Sequence, residues 1–464
     1  MIRLVLLNDS LRLHDNPLLK ADPLPKLAVV CLNKSAYYGR QYGLARANLQ
    51  RFEQQLRLIS QLQLALTTQG IGLVTLFGDS HTELVKLIRL THATELVAAE
   101  PTAPDEYQCL QQLKQHISIN LLDCNSLLGA AALAPDLHSF PDQFTAFRKR
   151  LEPELKVCTP IAGWSLPHST NPWFSPEQAQ TLNQHFTPLP AMAGSCAYKI
   201  AITEADALKR LKHFIWQEQH ILHYKDSRNQ LAGSDYASFF SASLAAGSLS
   251  VRYCWQQISD FEQQVQANDS TYWLKFELLW REFFRWQMRK YQHRWFSKNG
   301  IKGPADFSPP RLSARQQQRF DHWCAGNTGM PFVDANMRLL NQTGLMSNRG
   351  RQNVASYLIH DLAIDWRLGA AYFEQRLLDY DVASNWGNWA YIAGYGNSMP
   401  RPFNLLKQAM QYDAQGQFVR SMLPELSAEG ALIHLPANGV VIPEQWQAWL
   451  KELNWHKAAK VPPR

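Results

Sequence analysis

The stretch NLQRFEQQLRLISQLQLALTTQGIGLVTLF, residues 48–77, changes period half-way along. Residues 48–66 repeat apolar positions every three or four, as an amphipathic helix does. Residues 71–77 form a compact run of β-branched and leucine residues, the pattern of a buried strand. Further runs stand on either side: IRLVLL (2–7), LAVVCL (27–32), ELVAAE (95–100) and ISINLLD (117–123). Strands alternating with amphipathic segments predict a doubly wound parallel sheet with helices on both faces, over residues 1–128. No G-x-G-x-x-G follows the first strand, so a dinucleotide fingerprint is absent.

Beyond this region the text changes twice. Residues 129–198, with LPHSTNPWFSPEQ and HFTPLPAMAG, are Pro-rich and read as a long surface connector. From 199 to 464 helical patterns dominate, among them STYWLKFELLWREFFRWQMRKY, RGRQNVASYLIHDLAIDW and AAYFEQRLLDYD. The expected fold is therefore α/β followed by all-α.

With 464 residues, 46% hydrophobic and 18% charged, the chain is long enough for two or three domains. No run approaches eighteen apolar residues, and MIRLVLLNDS is too short in apolar residues for a signal peptide, so a cytoplasmic, non-membrane protein is expected. The seven cysteines form no C-x-x-C pair and no cluster with His at metal spacing, which predicts reduced buried thiols and no metal. Charge is uneven. Residues 1–200 hold 17 Lys or Arg against 16 acids, whereas residues 201–464 hold 29 against 23 together with 13 of the 15 tryptophans. A basic, indole-rich half suits a polyanionic partner, and a solvated basic face accounts for the charge equally well.

Three constellations in that half carry chemistry. Along the helix 270–291, Trp273, Glu277, Trp280, Arg281 and Phe284 recur at helical spacing, so an acid and a base share an aromatic face; a core stripe edged by an ion pair gives the same pattern. In SNRGRQ, Asn348, Arg349 and Arg351 open a second helix whose later face is expected to carry Trp366. Between 224 and 250, Ser234, Ser238, Ser241 and Ser243 precede a helical pattern, where hydroxyls and N–H groups can hold phosphate. Polar groups around aromatic surfaces suit a flat, polar, π-rich ligand.

The motifs RLHDNPLL (12–19), DQFTAFRKRLE (142–152), NDSTYWLKFELLWREFFRW (268–286), GMPFVDANMRLLNQTGLMSNRGRQ (329–352) and DYDVASNWGNWAYIAGYGN (379–397) resemble the photolyase and cryptochrome family, most closely its DASH branch. The resemblance runs over nearly the whole chain. It implies an α/β antenna domain, a connector and a helical domain holding a folded FAD. It also implies electron transfer from reduced flavin to cyclobutane pyrimidine dimers, with single-stranded DNA favoured, in a protein expected to be monomeric.

Carried over residue by residue, the resemblance places Asn385 opposite flavin N5, Asp379 in a pair with Arg351 beside the ring, and Asp381 at its polar edge. Tyr224, Ser238 and Ser241 match the phosphate loop of the FAD site and Arg281 its nearby arginine. Trp389 and Trp366 match the inner two members of an electron relay. Tyr391 and Trp280 would flank the dimer, Glu277 would hydrogen-bond it, Met346 would pack on it, and Asn348 would touch both flavin and substrate. Arg228, Arg349, Arg401 and Lys407 are candidates for DNA phosphates. Glu106 lies near the acid that binds a methenyltetrahydrofolate antenna, although a solvated helix-start carboxylate explains it equally well.

The chain departs from the family pattern in two places. Ala237, Phe239 and Ala242 stand in the phosphate loop where polar residues and proline are usual, and Ser313 stands where the outermost relay tryptophan is expected. Trp323 is a substitute or a core residue. With only Cys254 and Cys324 after residue 200, a four-cysteine iron-sulfur cluster is excluded. Two functions follow: a dimer-repairing lyase, or a light sensor of the cryptochrome type that binds FAD and nucleic acid without repair.

Overall fold

A computed structural model describes residues 2–20, 24–129, 137–152, 156–161, 172–192, 202–428, 430, 433–437, 440 and 446. The expected connector end at 198 and Cys196 lie outside these residues. The chain divides into two compact units: Met1–Lys225, Ser238–His293 and Leu378–Ser384 form the first, and Asp226–Ala237, Arg294–Leu377 and Asn385–Arg464 the second.

In the first unit all five expected strands form: β1 (Arg3–Leu6), β2 (Lys26–Asn33), β3 (Leu73–Gly78), β4 (Glu95–Ala99) and β5 (Ser118–Leu122). They make one parallel sheet in the order β3-β2-β1-β4-β5. In β2 every residue from Lys26 to Leu32 is buried, as expected for an inner strand covered on both faces. Helix α1 (Leu49–Thr67) starts where the Asn48 side chain accepts the Arg51 N–H, and α2 (Ser80–Thr91) where Asp79 accepts that of Thr82. Pro104 opens α3 (Pro104–Leu113), a position where its missing N–H has no helical partner to lose. Leu56, Ile59 and Leu62 of α1 pack on one face of the sheet with Val5, Val30 and Leu73; Leu84, Leu87 and Leu113 of α2 and α3 pack on the other with Leu4, Val29 and Val74.

The motif RLHDN acts as a buried clasp. Arg12, fully buried, donates to the carbonyls of His14, Asp15, Cys124 and Gly247 and to Asn125 Oδ1. Its charge meets carbonyl dipoles, as a buried guanidinium requires. His14 Nε2 accepts the Ser250 N–H, which leaves Nδ1 to donate to Glu204 at 2.6 Å. Gly247 sits at φ +73°, where an added Cβ would lie 2.1 Å from the Asp9 carbonyl oxygen, so only glycine fits. A second clasp comes from α4 (Asp269–Tyr291), opened by a capping box of Asn268 and Thr271. Its Glu282 is fully buried and accepts the Leu127 and Leu128 N–H groups and Trp286 Nε1–H. Burial pushes that carboxyl up, against the three donors.

In the second unit α5 (Ala314–Ala325) begins at Ser313, α6 (Asn348–Ser356) at Ser347 and α7 (Trp366–Arg376) at Asp365; α8 (Val382–Ala393) continues into this unit from Asn385. One expectation fails here. RGRQNVASYLIHDLAIDW is two helices: α6 widens into a π turn at Tyr357–Asp361 and stops, Ala363 takes φ +54°, and Asp365 accepts the Arg367 N–H to start α7. Trp366 is therefore the first residue of the next helix rather than part of the later face of α6. The apolar period ran through the break, so only the Asp365 cap and the left-handed Ala363 interrupt it.

The described cysteines are all free, as expected, but only Cys31, Cys124 and Cys254 are buried; Cys109, Cys158 and Cys324 are partly exposed. Among the described residues no helix is long and apolar enough to cross a membrane.

Candidate functional site

In the first unit α4 buries most of its surface, including Leu274, Leu278, Leu279 and Phe283. Trp273, Glu277, Trp280 and Arg281 stay half-buried and Phe284 is buried, so part of the predicted stripe faces a partly open surface. Trp280 is held by Phe144 of the motif DQFTAFRKRLE: the rings stack at 3.7 Å and 9°. Lys225 lies over the Trp273 ring at 5.3 Å. Arg281 donates to the carbonyls of Asn125 and Leu244, and burial, helped by the neighbouring Arg285, draws its pKa down to about 10.

Of the serine loop, Tyr224, Ser238, Ser241 and Ser243 belong to the same unit and Ser234 to the second. Tyr224 is buried and Ser238 half-buried, and Ser241 is exposed at the start of a six-residue helical segment. Phe239, one of the departures from the family pattern, adopts φ +56°, and the Arg210 guanidinium lies 5.5 Å from its ring while Arg210 Nε donates to the Ser238 carbonyl. Asp379 is buried. Asp381 accepts the Ser384 N–H, capping α8, and its other oxygen lies 3.8 Å from Arg285 Nη1.

In the second unit Asn385 is buried and its amide donates to the Ala370 carbonyl, which fixes its orientation. Trp389 packs edge-on to Phe373 at 5.0 Å and to Trp323 at 6.1 Å. Trp366 donates from its indole to the Lys298 carbonyl and meets Trp386 edge-on at 5.9 Å. Trp323 is wholly buried and bonded to the Val354 carbonyl, so it is a core residue and offers no exposed end to a relay.

Met346 is buried and accepts, through its carbonyl, the Arg351 Nε–H. Asn348 is exposed at the start of α6. Arg349 bonds Asn229 and Gln352 and lies 4.6 Å over the Tyr412 ring; burial lowers its pKa, and nearby Arg228 lowers it further. Arg401, exposed, covers the Tyr391 ring at 4.4 Å, and Lys407 is exposed in a helix capped by Asn404. Arg349 with Tyr412 and Arg401 with Tyr391 thus each pair a cation with a phenol, a combination suited to phosphate and base together.

At the carboxyl ends of the sheet, where open α/β folds hold ligands, a cleft of about 160 Å³ is lined by Asp9, Asn33, Tyr37, Arg46, Glu106 and Cys109, among others. Glu106 is exposed, but this cleft is part of what it faces; burial of its carboxyl, then the neighbouring Asp9, pushes it up to about 7. Burial raises Asp9 as well, against the pull of Arg285.

Residues 3–167 match the DNA photolyase family and residues 273–458 the FAD-binding domain of DNA photolyase. The chain is 36% identical to Cryptochrome DASH of Synechocystis over 453 residues, covering 93% of this chain and 90% of that one. It is 37% identical to Cryptochrome DASH of Natronomonas pharaonis, covering 92% and 91%. The chain belongs to the photolyase and cryptochrome family, in its DASH branch. Among solved structures, the Synechocystis cryptochrome superposes with a TM-score of 0.79 at 33% identity, covering 97% of this chain and 93% of that one. A class III photolyase from Agrobacterium tumefaciens gives 0.74 at 26%, covering 98% and 91%.

Within this DASH-branch chain, several site residues escaped the sequence reading. Phe144, although inside the motif DQFTAFRKRLE, and Arg210 take their places through contacts with residues 136 and 28 positions away, which the local sequence does not show. Asp9 enters the cleft from the turn after β1 and Tyr37 from the short helix Lys34–Tyr38 that follows β2, segments that no strand or helix period had marked. Glu282 shares its helix with the predicted stripe but lies on the opposite, buried side.

Proposed function

We propose that this chain is a light-driven lyase that splits cyclobutane pyrimidine dimers, preferring single-stranded DNA, with reduced FAD as its cofactor. The supporting observation is the stripe of α4, where Glu277 and Trp280 stay half-buried beside the buried Leu274, Leu278, Leu279 and Phe283.

The donor set fits FAD. Asn385 is a buried amide held in one orientation, Arg281 is a cation with a lowered pKa, and Arg210 braces the loop at Ser238 in place of the usual hydroxyls. Tyr224, Ser238, Ser241, Arg281, Asn348, Arg351, Asp379, Asp381 and Asn385 would hold it. When bound and reduced, FAD supplies the electron that light drives onto the dimer. Glu277 would then hydrogen-bond the dimer carbonyls where negative charge develops, Trp280 and Tyr391 would stack on the extruded bases, and Met346 and Asn348 would close the contact. Trp389 and Trp366 would serve the relay that recharges the cofactor. Arg228, Arg349, Arg401 and Lys407 would take the DNA phosphates. Residues 1–128 would serve as the antenna domain, 129–198 as connector and 199–464 as the catalytic domain. An antenna chromophore would meet Glu106; the cleft of about 160 Å³ is smaller than the ~300 Å³ of common ligand sites, so a folate would have to widen it or lie partly outside.

The deciding experiment is the absorption spectrum of the purified protein, followed by repair of a dimer in single-stranded and duplex oligonucleotides under blue light. A flavin spectrum with faster single-strand repair is expected. Bound flavin without repair of either substrate would refute the lyase reading in favour of a sensor.

A further inference from the structure

The second unit contains a cleft of about 650 Å³ beside Trp366. Its walls include the Trp366 indole, Tyr395, Pro309 and Pro310, and three cations: Lys298, Arg311 and Arg367. Arg367 is matched by Asp365, which it grips with two hydrogen bonds of 3.1 and 2.8 Å; Lys298 and Arg311, both exposed, are the other two cations of the wall, and the Asp306 carboxylate, held low first by Ser308, also feels Lys298 and Arg367. The cleft is within the ~300–1,000 Å³ range of small-molecule sites. Position 313 falls between two residues of its lining, Leu312 and Gln316. An outermost relay indole was expected there; Ser313 instead caps α5 by accepting the Gln316 N–H.

We propose that this cleft binds a mononucleotide-sized, phosphate-bearing molecule with a reducing ring, and that this ligand replaces the outer relay residue as the electron donor to Trp366. The inference rests on the flavoprotein reading above. Two cations suit one phosphate dianion. The prolines, the indole edge and the phenol suit a flat ring, and Trp366, only 3% exposed, is a member of the wall rather than a surface indole. The chemistry balances with a reduced nicotinamide ring as donor. Once Trp366 has passed an electron inward through Trp389 to light-excited oxidised flavin, its radical cation takes one electron from the ring and returns to a neutral indole. The ring radical cation then releases its C4 proton to water, and the neutral pyridinyl radical gives its second electron to the Trp366 radical cation of the next photocycle, leaving the oxidised nicotinamide. Neither step requires a side chain at 313.

The probe is reduced nicotinamide mononucleotide, added to the protein as purified. Its fluorescence anisotropy reports binding whether or not flavin is present, so failure of this site and failure of the flavoprotein reading are distinguishable: the latter shows as the lack of a flavin spectrum. Saturable binding is expected, weakened at least tenfold in the double variant Lys298→Ala, Arg311→Ala. In flavin-loaded protein, photoreduction should saturate with probe concentration in the wild type and become linear and slower in the double variant. Two results overturn the proposal. One is equal binding by wild type and double variant. The other is photoreduction that ignores the probe and disappears in Tyr395→Phe, which would make Tyr395 the outer donor. Since both substituted cations are exposed and lie outside the helices, circular dichroism of the double variant should match the wild type.

Discussion

Gly369 lies on α7 against the Trp389 indole, proposed above as a relay member, and replacing it tests whether Trp389 is wedged in place. A Cβ at this position would lie 2.3 Å from Trp389 Cη2, 2.4 Å from Cζ3 and 2.6 Å from Leu358 Cδ2. Ordinary contact begins at 3.4 Å, so the indole must yield by about 1 Å. It has little room to do so, being 3% exposed with Phe373 and Trp323 edge-on at 5.0 and 6.1 Å. Overpacking of this kind costs about 1–3 kcal/mol. For a domain of this size that corresponds to a melting temperature lower by roughly 2–10 °C. Gly369→Ala should therefore melt earlier, and photoreduction of bound flavin should slow, while repair by chemically reduced protein persists. Adding Trp389→Phe removes the ring atoms that clash and should recover part of the lost stability, a coupling that a double-mutant cycle measures. If Gly369→Ala melts within about 1 °C of the wild type, or if the second substitution recovers nothing, the wedge does not exist.

Glu106 predicts a pH dependence. Its folded value of about 7 lies above the ordinary 4.5, so the native state holds the proton longer, and stability falls as pH rises from about 4.5 to 7. Glu106→Gln should flatten that decline in thermal melts; an unchanged slope would mean that the carboxyl is solvated. Arg349→Ala should weaken single-stranded DNA binding and lower the salt slope of log K by about 0.7, the share of one phosphate contact, and an unchanged slope in fluorescence titrations would remove Arg349 from the interface. Glu277→Ala should cut dimer repair per absorbed photon by at least about tenfold with FAD retained. Loss of flavin from that variant would instead make Glu277 a structural carboxylate.

The inner strand β2 was legible because it is a run of apolar residues that a two-sided sheet buries almost whole, whereas the edge strand β5 buries none of its residues; two of the helices that join the strands carry their own caps. The stripe on α4 was legible for a similar reason, since helical spacing fixes which side chains share a face. The boundary at Leu362–Asp365 was not, because a local period cannot report a left-handed residue or a new cap that interrupts it. The substitutions in the serine loop were visible in the sequence; that Arg210 braces the loop through the Ser238 carbonyl and the Phe239 ring was not.

Sequence alone determined what depends on neighbours along the chain: the α/β-then-helical order, the helix faces, and the motifs that place the chain in its family. Tertiary structure decided what depends on residues far apart in it. It set Phe144 under Trp280, buried Trp323 beside Trp389 and withdrew it from any surface role, and made Arg12 a clasp rather than a surface charge. It also assembled the cleft at Trp366 from segments around 298, 311, 365 and 395. The physical reason is common to these cases. Burial and local dielectric are properties of the packed chain, and they determine whether a tryptophan is a core filler or a ring with access to a ligand, and whether an arginine is solvated or enclosed by carbonyls.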